Sequence, residues 1–184
     1  IYQRISDIQM EEQGEGAEAM VALHHRLPKA DISELIGLLE TIASSDYAEQ
    51  VELTELAEDF HLEGDDLFPV LEAIDIMGFA NLKDAKVSLT IVGKKFAAAD
   101  VLSRKQIFAT QILNHVSLAK KIREELDKHY EHCLSEDIFL DILRQELNED
   151  AAAEVLKTVI DWGRYAEIFA YHANQKVLSL EDPE

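Results

Sequence analysis

The spacing of apolar residues changes along this chain, and the change restricts the folds that the chain can adopt. Apolar side chains recur every three or four positions between residues 31 and 77, which predicts amphipathic helices. Val87, Leu89 and Ile91 then alternate with polar residues, which predicts a half-buried strand. Helical spacing returns from residue 94 onward. The sequence therefore predicts a mainly α-helical protein with small β-hairpins.

Residues 27–93 have the pattern of a winged helix-turn-helix lobe. A first helix follows Asp31, which can cap it, a second begins near Thr54, and a third runs to about Met77. Pro69 is expected near the first turn of the third helix, where a missing backbone N–H costs least. Three helices followed by a short hairpin are typical of a winged helix, in which the second and third helices form the helix-turn-helix pair.

The second half of the chain repeats this plan after a connecting helix over residues 94–116. Its predicted elements are helices over 117–129, 135–147 and 149–165, followed by extended segments at 168–171 and 177–180. Asn148 is a suitable N-cap for the third of these helices. Residues 117–184 are therefore predicted to form a second winged-helix-like lobe. The expected architecture is two such lobes in tandem, joined by a helix.

The formal net charge of −20 is unevenly distributed. Residues 31–82 contain fourteen acidic residues and no Lys or Arg. Residues 83–128 carry ten basic and five acidic residues, a net charge of +5, whereas residues 129–184 carry a net charge of −9. A basic middle segment thus lies between two acidic ones, and we expect it to meet an acidic surface.

The charge pattern argues against nucleic-acid binding. A recognition helix normally brings Arg, Lys, Asn or Gln to the bases, and its flanks bring basic residues to the phosphates. The third helix of the first lobe instead carries only acidic charges, at Asp65, Asp66, Glu72 and Asp75. The corresponding helix of the second lobe also has more acidic than basic residues. We therefore expect no nucleic-acid partner.

The motifs that would support catalysis or cofactor binding are incomplete. Residues 92–95 (VGKK) lack the first glycine and the final Ser or Thr of a phosphate-binding loop. His129, His132 and Cys133 offer three of the roughly four ligands that zinc requires, and no second cluster accompanies them. The apolar runs are shorter than a membrane span. We expect no catalytic residue, no cofactor, no metal and no direct membrane insertion.

Six residues are candidates for a protein–protein interface. They comprise a basic cluster in the middle segment and an aromatic and basic cluster near the end of the chain, which are typical interface anchors. These residues are Lys120, Lys121, Arg123, Trp162, Arg164 and Tyr165. Two alternatives remain open. The basic segment can neutralise the acidic lobes of its own chain, and Trp162 or Tyr165 can pack inside the fold.

Four segments of the chain resemble a known family. They are Leu27–Leu39, Thr54–Phe79, Leu89–Phe108 and Ile160–Glu181, the last with the sequence IDWGRYAEIFAYHANQKVLSLE. They are similar to the AAA-associated C-terminal domain of nitrate/sulfonate/taurine-type ABC transporter ATP-binding proteins. The resemblance implies a non-catalytic, cytoplasmic regulatory domain of an ABC anion importer, which associates with the membrane only through the transporter complex. The implied partners are the ABC ATPase domain of the same chain and a second copy.

The first residues fit this resemblance. The chain starts at Ile1 rather than Met, and residues 9–20 are rich in Glu, Gly and Ala without an apolar stripe. We therefore expect residues 1–26 to be a flexible linker from an upstream ATPase domain. Two other functions are weighed against this one. A winged-helix transcription regulator is disfavoured by the acidic helices, and a sensor of small anions would need a convergent basic pocket.

Overall fold

The computed structural model describes residues 20–23, 25–44, 50–60 and 64–180. Eight helices and six short strands lie within them. The helices are α1 Ile32–Ser44, α2 Leu53–Phe60, α3 Gly64–Ile76, α4 Ile91–Ala98, α5 Val101–His115, α6 Ser117–Lys128, α7 Glu136–Leu143 and α8 Glu149–Tyr165. The strands are β1 Val51–Glu52, β2 Ala80–Lys83, β3 Lys86–Leu89, β4 Cys133–Ser135, β5 Ala170–His172 and β6 Val177–Ser179. The prediction of a mainly α-helical protein with small antiparallel β-structures is confirmed.

Both halves of the chain have the same order of elements, which is helix, strand, helix, helix, strand, strand. In the first half β3 is the central strand and pairs antiparallel with β1 and β2, so that Val87 lies opposite both Val51 and Leu82. In the second half β6 takes the same central place between β4 and β5. The apolar pattern does not predict β1 or β4, because two or three residues are too few to show a period.

The connecting helix predicted over residues 94–116 is divided into α4 and α5. Thr90 caps α4 through its side-chain oxygen, which accepts a hydrogen bond from the Gly93 N–H at 3.0 Å. Asp100 caps α5 in the same way, through two backbone N–H groups at 3.0 Å. Such side chains satisfy N–H groups that have no partner within the helix, so each starts a new helix. Ile91, predicted to be a strand residue, is therefore the first residue of α4.

Two further helix boundaries differ from the prediction. Pro69 lies in the second turn of α3 rather than in its first. The N–H that it lacks would pair with the carbonyl of residue 65, so the loss is one hydrogen bond near the helix start. Helix α7 ends at Leu143 rather than at residue 147, because the backbone then tightens into turns in which Gln145 and Glu146 donate to the third residue back. The side chain of Asn148 caps α8 as predicted, accepting from the Ala151 N–H at 2.9 Å.

The segment before α1 is attached to the second half of the chain. The Val21 N–H donates to the carbonyl of His115 at 2.8 Å, and the Ser117 hydroxyl donates to the carbonyl of Val21 at 2.6 Å. Val21, which lies within the flexible linker predicted over residues 1–26, is held by these two hydrogen bonds. Residues 1–19 and residue 24 of that range lie outside the described residues, and the linker stays a prediction.

One continuous hydrophobic core contains buried side chains from both halves. The rings of Phe79, Phe96 and Phe108 have centroids 4.6, 6.0 and 6.2 Å apart. Phe108 also meets Trp162 at 6.3 Å and Tyr165 at 5.1 Å in edge-to-face contacts. This aromatic chain runs from the first half through α5 to the second half. Helix α5 is thus a packed part of the core.

Candidate interaction surface

The basic cluster predicted on α6 is largely paired within the chain. Lys121 lies 3.0 Å from Glu125, and the Arg123 Nε lies 3.2 Å from Asp127. Arg123 also donates from Nη1 to the carbonyl of Ile168 at 2.9 Å, which ties α6 to the segment before β5. Lys120 is exposed and forms no ion pair with any residue that the structure describes. Of the three predicted residues, Lys120 is therefore the one that remains free to contact a partner.

Three other basic residues of the middle segment pair with acidic residues of the flanking segments. Lys86 lies 3.2 Å from Glu52, Arg104 lies 2.5 Å from Glu40, and Lys105 contacts Glu167. These pairs support the alternative in which the basic segment neutralises acidic groups of its own chain.

Arg104 has a further role at the junction between α4 and α5. Its Nε and Nη2 donate to the carbonyls of Phe96 and Ala97, at 3.1 and 2.7 Å. These carbonyls belong to the last turn of α4, where carbonyl groups lack partners within the helix. Together with the ion pair to Glu40, Arg104 fixes the ends of α4 and α5 against α1.

Trp162 does not lie on an exposed surface. Its side chain is fully buried, and its indole N–H donates to the carbonyl of Ala30 at 3.3 Å. The packing alternative for Trp162 therefore agrees with the structure. Tyr165 is half-buried with its ring edge on Phe108, and burial raises the pKa of its hydroxyl while Arg104 and Lys105 act to lower it.

Arg164 is the exposed residue of the second cluster, and it borders two grooves. The larger, about 850 Å³, lies between residues 27–34 and α8, and the smaller, about 380 Å³, lies between α7, α8 and the β5–β6 turn. The larger groove contains Lys29, Lys157 and Arg164, but also Asp31, Glu34, Glu154 and Asp161. Lys157 is itself paired with Asp161 at 2.6 Å. Charges of both signs line this groove, which therefore lacks the convergent basic set that an anion sensor requires.

A polar cluster that the sequence does not predict lies beside the smaller groove. The Tyr171 hydroxyl donates to Glu136 at 2.5 Å, and the ammonium of Lys176 lies 3.3 Å from the other carboxylate oxygen of Glu136. Burial, followed by the hydrogen bond to Glu136, raises the pKa of Tyr171 to about 12. The cluster joins the β5–β6 hairpin to the start of α7. No sequence signal points to it, because Glu136 and Tyr171 are 35 positions apart in the chain.

The residues weighed for metal binding do not form a ligand set. The Nδ1 of His132 lies 2.9 Å from the carbonyl of Leu126, and Cys133 is a free, half-buried thiol in β4. Within the described residues, no three His, Cys, Asp or Glu side chains are grouped to hold a metal ion. The described helices also include none that is long and apolar enough to cross a membrane.

His115 lies half-buried at the end of α5, beside the contact with Val21. Its Nε2 is 3.4 Å from the Gln111 Nε2, and the Gln111 amide donates to the carbonyl of Met77 at 2.9 Å. Burial lowers the pKa of His115 below its ordinary value of 6.5. The folded state therefore favours the neutral imidazole.

The stability that His115 contributes should consequently be present above pH 6.5 and lost as the pH falls through the lowered pKa. We expect an NMR titration to place the pKa of His115 below 6.5. We also expect the free energy of unfolding of the wild type to fall relative to that of His115→Gln between about pH 7 and about pH 5. An unshifted His115, or a stability difference independent of pH, would contradict this.

Residues 54–172 match the family described as the C-terminal AAA-associated domain. The match begins in α2 and ends with β5, so that it includes the central helices, Lys120 and Arg164, but not α1. No curated protein and no solved structure matches the chain. Because the family match extends over more than half of its residues, the chain belongs to the family of C-terminal AAA-associated domains.

Proposed function

We propose that this chain is a non-catalytic accessory domain of an ATPase-containing protein, and specifically of the ATP-binding subunit of an ABC importer for a small anion. The observation that carries the proposal is the family match over residues 54–172. The four sequence segments that resemble the nitrate/sulfonate/taurine-type proteins support the more specific part. In this proposal the domain lies on the cytoplasmic side and reaches the membrane only through the transporter complex.

The proposed domain organisation is two winged-helix lobes, 27–93 and 117–184, on either side of the segment 94–116. The repeated order of elements and the matching sheet orders support it. The lobes would not act on DNA, because α3 contains four acidic residues and no Lys or Arg, and α8 also has more acidic than basic residues. Each acidic group placed near phosphates weakens such a complex.

The proposed mechanism is regulation through protein contacts. Lys120 on α6 and Arg164 on α8 are exposed and form no ion pair within the residues that the structure describes, so they are suited to contact an acidic surface of the attached ATPase. Charge complementarity at such a contact steers the encounter and sets its orientation more than it strengthens binding. The buried Trp162 would support this surface from below rather than touch the partner.

In the full-length ATP-binding subunit, Lys120→Glu should change the ATPase rate by about fivefold, the lower end of typical coupling between sites. The thermal stability should change little, since exposed substitutions alter the free energy of unfolding by only about 0.5 kcal/mol. The measurement is the steady-state ATPase rate together with the melting temperature. Arg123→Glu is the matched charge reversal on the same helix. It should instead destabilise the domain by about 1 kcal/mol, because it removes the hydrogen bond to Ile168.

Deleting residues 27–184 from the full-length subunit is the wider test. A subunit whose ATPase rate and transport are the same with and without these residues would show that the domain is not regulatory. If the deletion alters the ATPase rate and Lys120→Glu does not, the contact lies on another surface of the domain.

A further inference from the structure

Helix α4 presents a continuous exposed face that no other described element covers. Ile91, Lys94, Lys95 and Ala98 are all exposed, and their spacing of three and four positions puts them on one side of the helix. Ile91 is 73% exposed, which is unusual for a large apolar side chain. The opposite side of α4 carries Phe96, which is fully buried in the aromatic cluster.

The first turn of α5, which follows α4 closely in the chain, is exposed as well. Val101 and Leu102 are 70% and 62% exposed, and they follow the end of α4 after two residues. Lys94 and Lys95 form no ion pair within the part of the chain that the structure describes, unlike Lys86, Arg104 and Lys105. We call this surface the α4 strip, defined by Ile91, Lys94, Lys95, Ala98, Val101 and Leu102.

A second surface has the complementary composition. On α3, Phe68 is 57% exposed, and the exposed Glu72 follows it by one helical turn. Asp66 is exposed in the same helix, and neither Asp66 nor Glu72 forms an ion pair with a residue that the structure describes. We call this surface the α3 face, defined by Asp66, Phe68 and Glu72. It combines an apolar side chain with unopposed negative charge.

We propose that the α4 strip of one copy of this chain binds the α3 face of a second copy. Four of the six exposed large apolar side chains among the described residues belong to these two surfaces. A contact between them would bury Phe68 against the apolar residues of the strip and bring Lys94 and Lys95 to Asp66 and Glu72. This inference rests on the proposed function, because it names one partner of a domain that acts through protein contacts.

The net charge of each copy does not prevent this contact. Two chains of net charge −20 repel each other at a distance. That repulsion is largely screened beyond about 8–10 Å at physiological ionic strength, whereas opposite charges in contact are screened less. The two surfaces are unlike, so each copy offers one of each. A twofold axis would satisfy both contacts in a closed dimer. Another rotation between copies would give a larger ring if it closes and an open filament if it does not.

The test is sedimentation velocity on the 184-residue chain and two charge-reversal variants. One variant reverses the strip (Lys94→Glu with Lys95→Glu), and the other reverses the face (Asp66→Lys with Glu72→Lys). Each alone should self-associate at least about tenfold more weakly than the wild type, because like charges then face each other. An equimolar mixture of the two variants should regain wild-type association, because every contact in the mixed pair again joins opposite charges.

The double variant Lys29→Glu with Lys157→Glu is the control for the strip variant. It makes the same change in net charge, but at the groove along α8. It should associate like the wild type, and circular dichroism should show that all variants fold. A wild-type chain that remains a monomer at the highest attainable concentration would overturn the proposal. So would a mixture of the two variants that stays monomeric. None of these measurements depends on the ATPase. A failure of this proposal is therefore distinguishable from a failure of the proposed function in the Lys120→Glu test.

Discussion

Replacing Gly93 by alanine should lower the free energy of unfolding by about 3 kcal/mol, at the upper end of the usual range for overpacking. A Cβ at this position would lie 1.9 Å from the carbonyl oxygen of Phe79 and 2.8 Å from its carbonyl carbon. Both atoms belong to the backbone, so no side-chain rotation relieves the overlap. The Phe79 carbonyl also accepts a hydrogen bond from the Thr90 N–H at 3.0 Å. Moving it would therefore disturb the cap that starts α4.

Gly37→Ala is the matched control for this prediction. Gly37 lies within α1, and a Cβ there would meet no atom within 4 Å. The same chemical change should stabilise the protein by about 0.5–1 kcal/mol, because alanine loses less backbone entropy than glycine in a helix. Urea denaturation followed by circular dichroism measures both effects. Changes of the same sign in the two variants would show that the close approach of α4 to Phe79 is not present in solution.

Trp162→Ala should destabilise the protein by about 3–5 kcal/mol, the usual cost of removing a large aromatic side chain from a core. Trp162 is fully buried, contacts the ring of Phe108, and donates a hydrogen bond to Ala30 in the segment before α1. The substitution therefore leaves a cavity where three parts of the chain meet. Unfolding is best followed by far-UV circular dichroism, since the variant lacks the chain's single tryptophan.

Trp162→Phe is the more conservative variant. It retains one aromatic ring, loses the indole N–H and leaves a smaller cavity than alanine does, so we expect a cost above the roughly 1 kcal/mol of one hydrogen bond and below that of Trp162→Ala. The interface hypothesis for Trp162 makes a different prediction. Under that hypothesis Trp162→Ala would retain its stability and lose only its association with a partner, and this outcome would contradict the buried position.

Local patterns in the sequence predicted the elements whose formation depends on neighbouring residues. The helical spacing in residues 32–42 places Leu35, Leu39 and Ile42 in the core, where the structure finds them buried. Asn148 caps α8 as its residue type and position indicate. These features require only a few consecutive residues, and their periods and caps are visible in a single stretch of chain.

The predicted helix boundaries were wrong where a capping side chain lies next to or within an apolar pattern. Residues 94–115 have helical spacing, but Asp100 captures backbone N–H groups and divides the predicted helix, while Thr90 starts its first part at Ile91, earlier than predicted. The strand signal through Ile91 was likewise weaker than the cap at Thr90. A side-chain cap satisfies donors that would otherwise lack a partner, so it outweighs an apolar pattern of three residues.

The sequence by itself determined the helical class, the positions of most elements, the uneven charge and the resemblance to the family that residues 54–172 match. The tertiary structure decided which of the predicted interface residues are available. Trp162 is buried in the core, where it donates a hydrogen bond to a carbonyl 132 positions away in the chain. Arg123 donates to a carbonyl 45 positions away, whereas Lys120 stays exposed. Burial and pairing depend on which distant segments pack together, and no period or cap in one stretch of chain encodes those contacts.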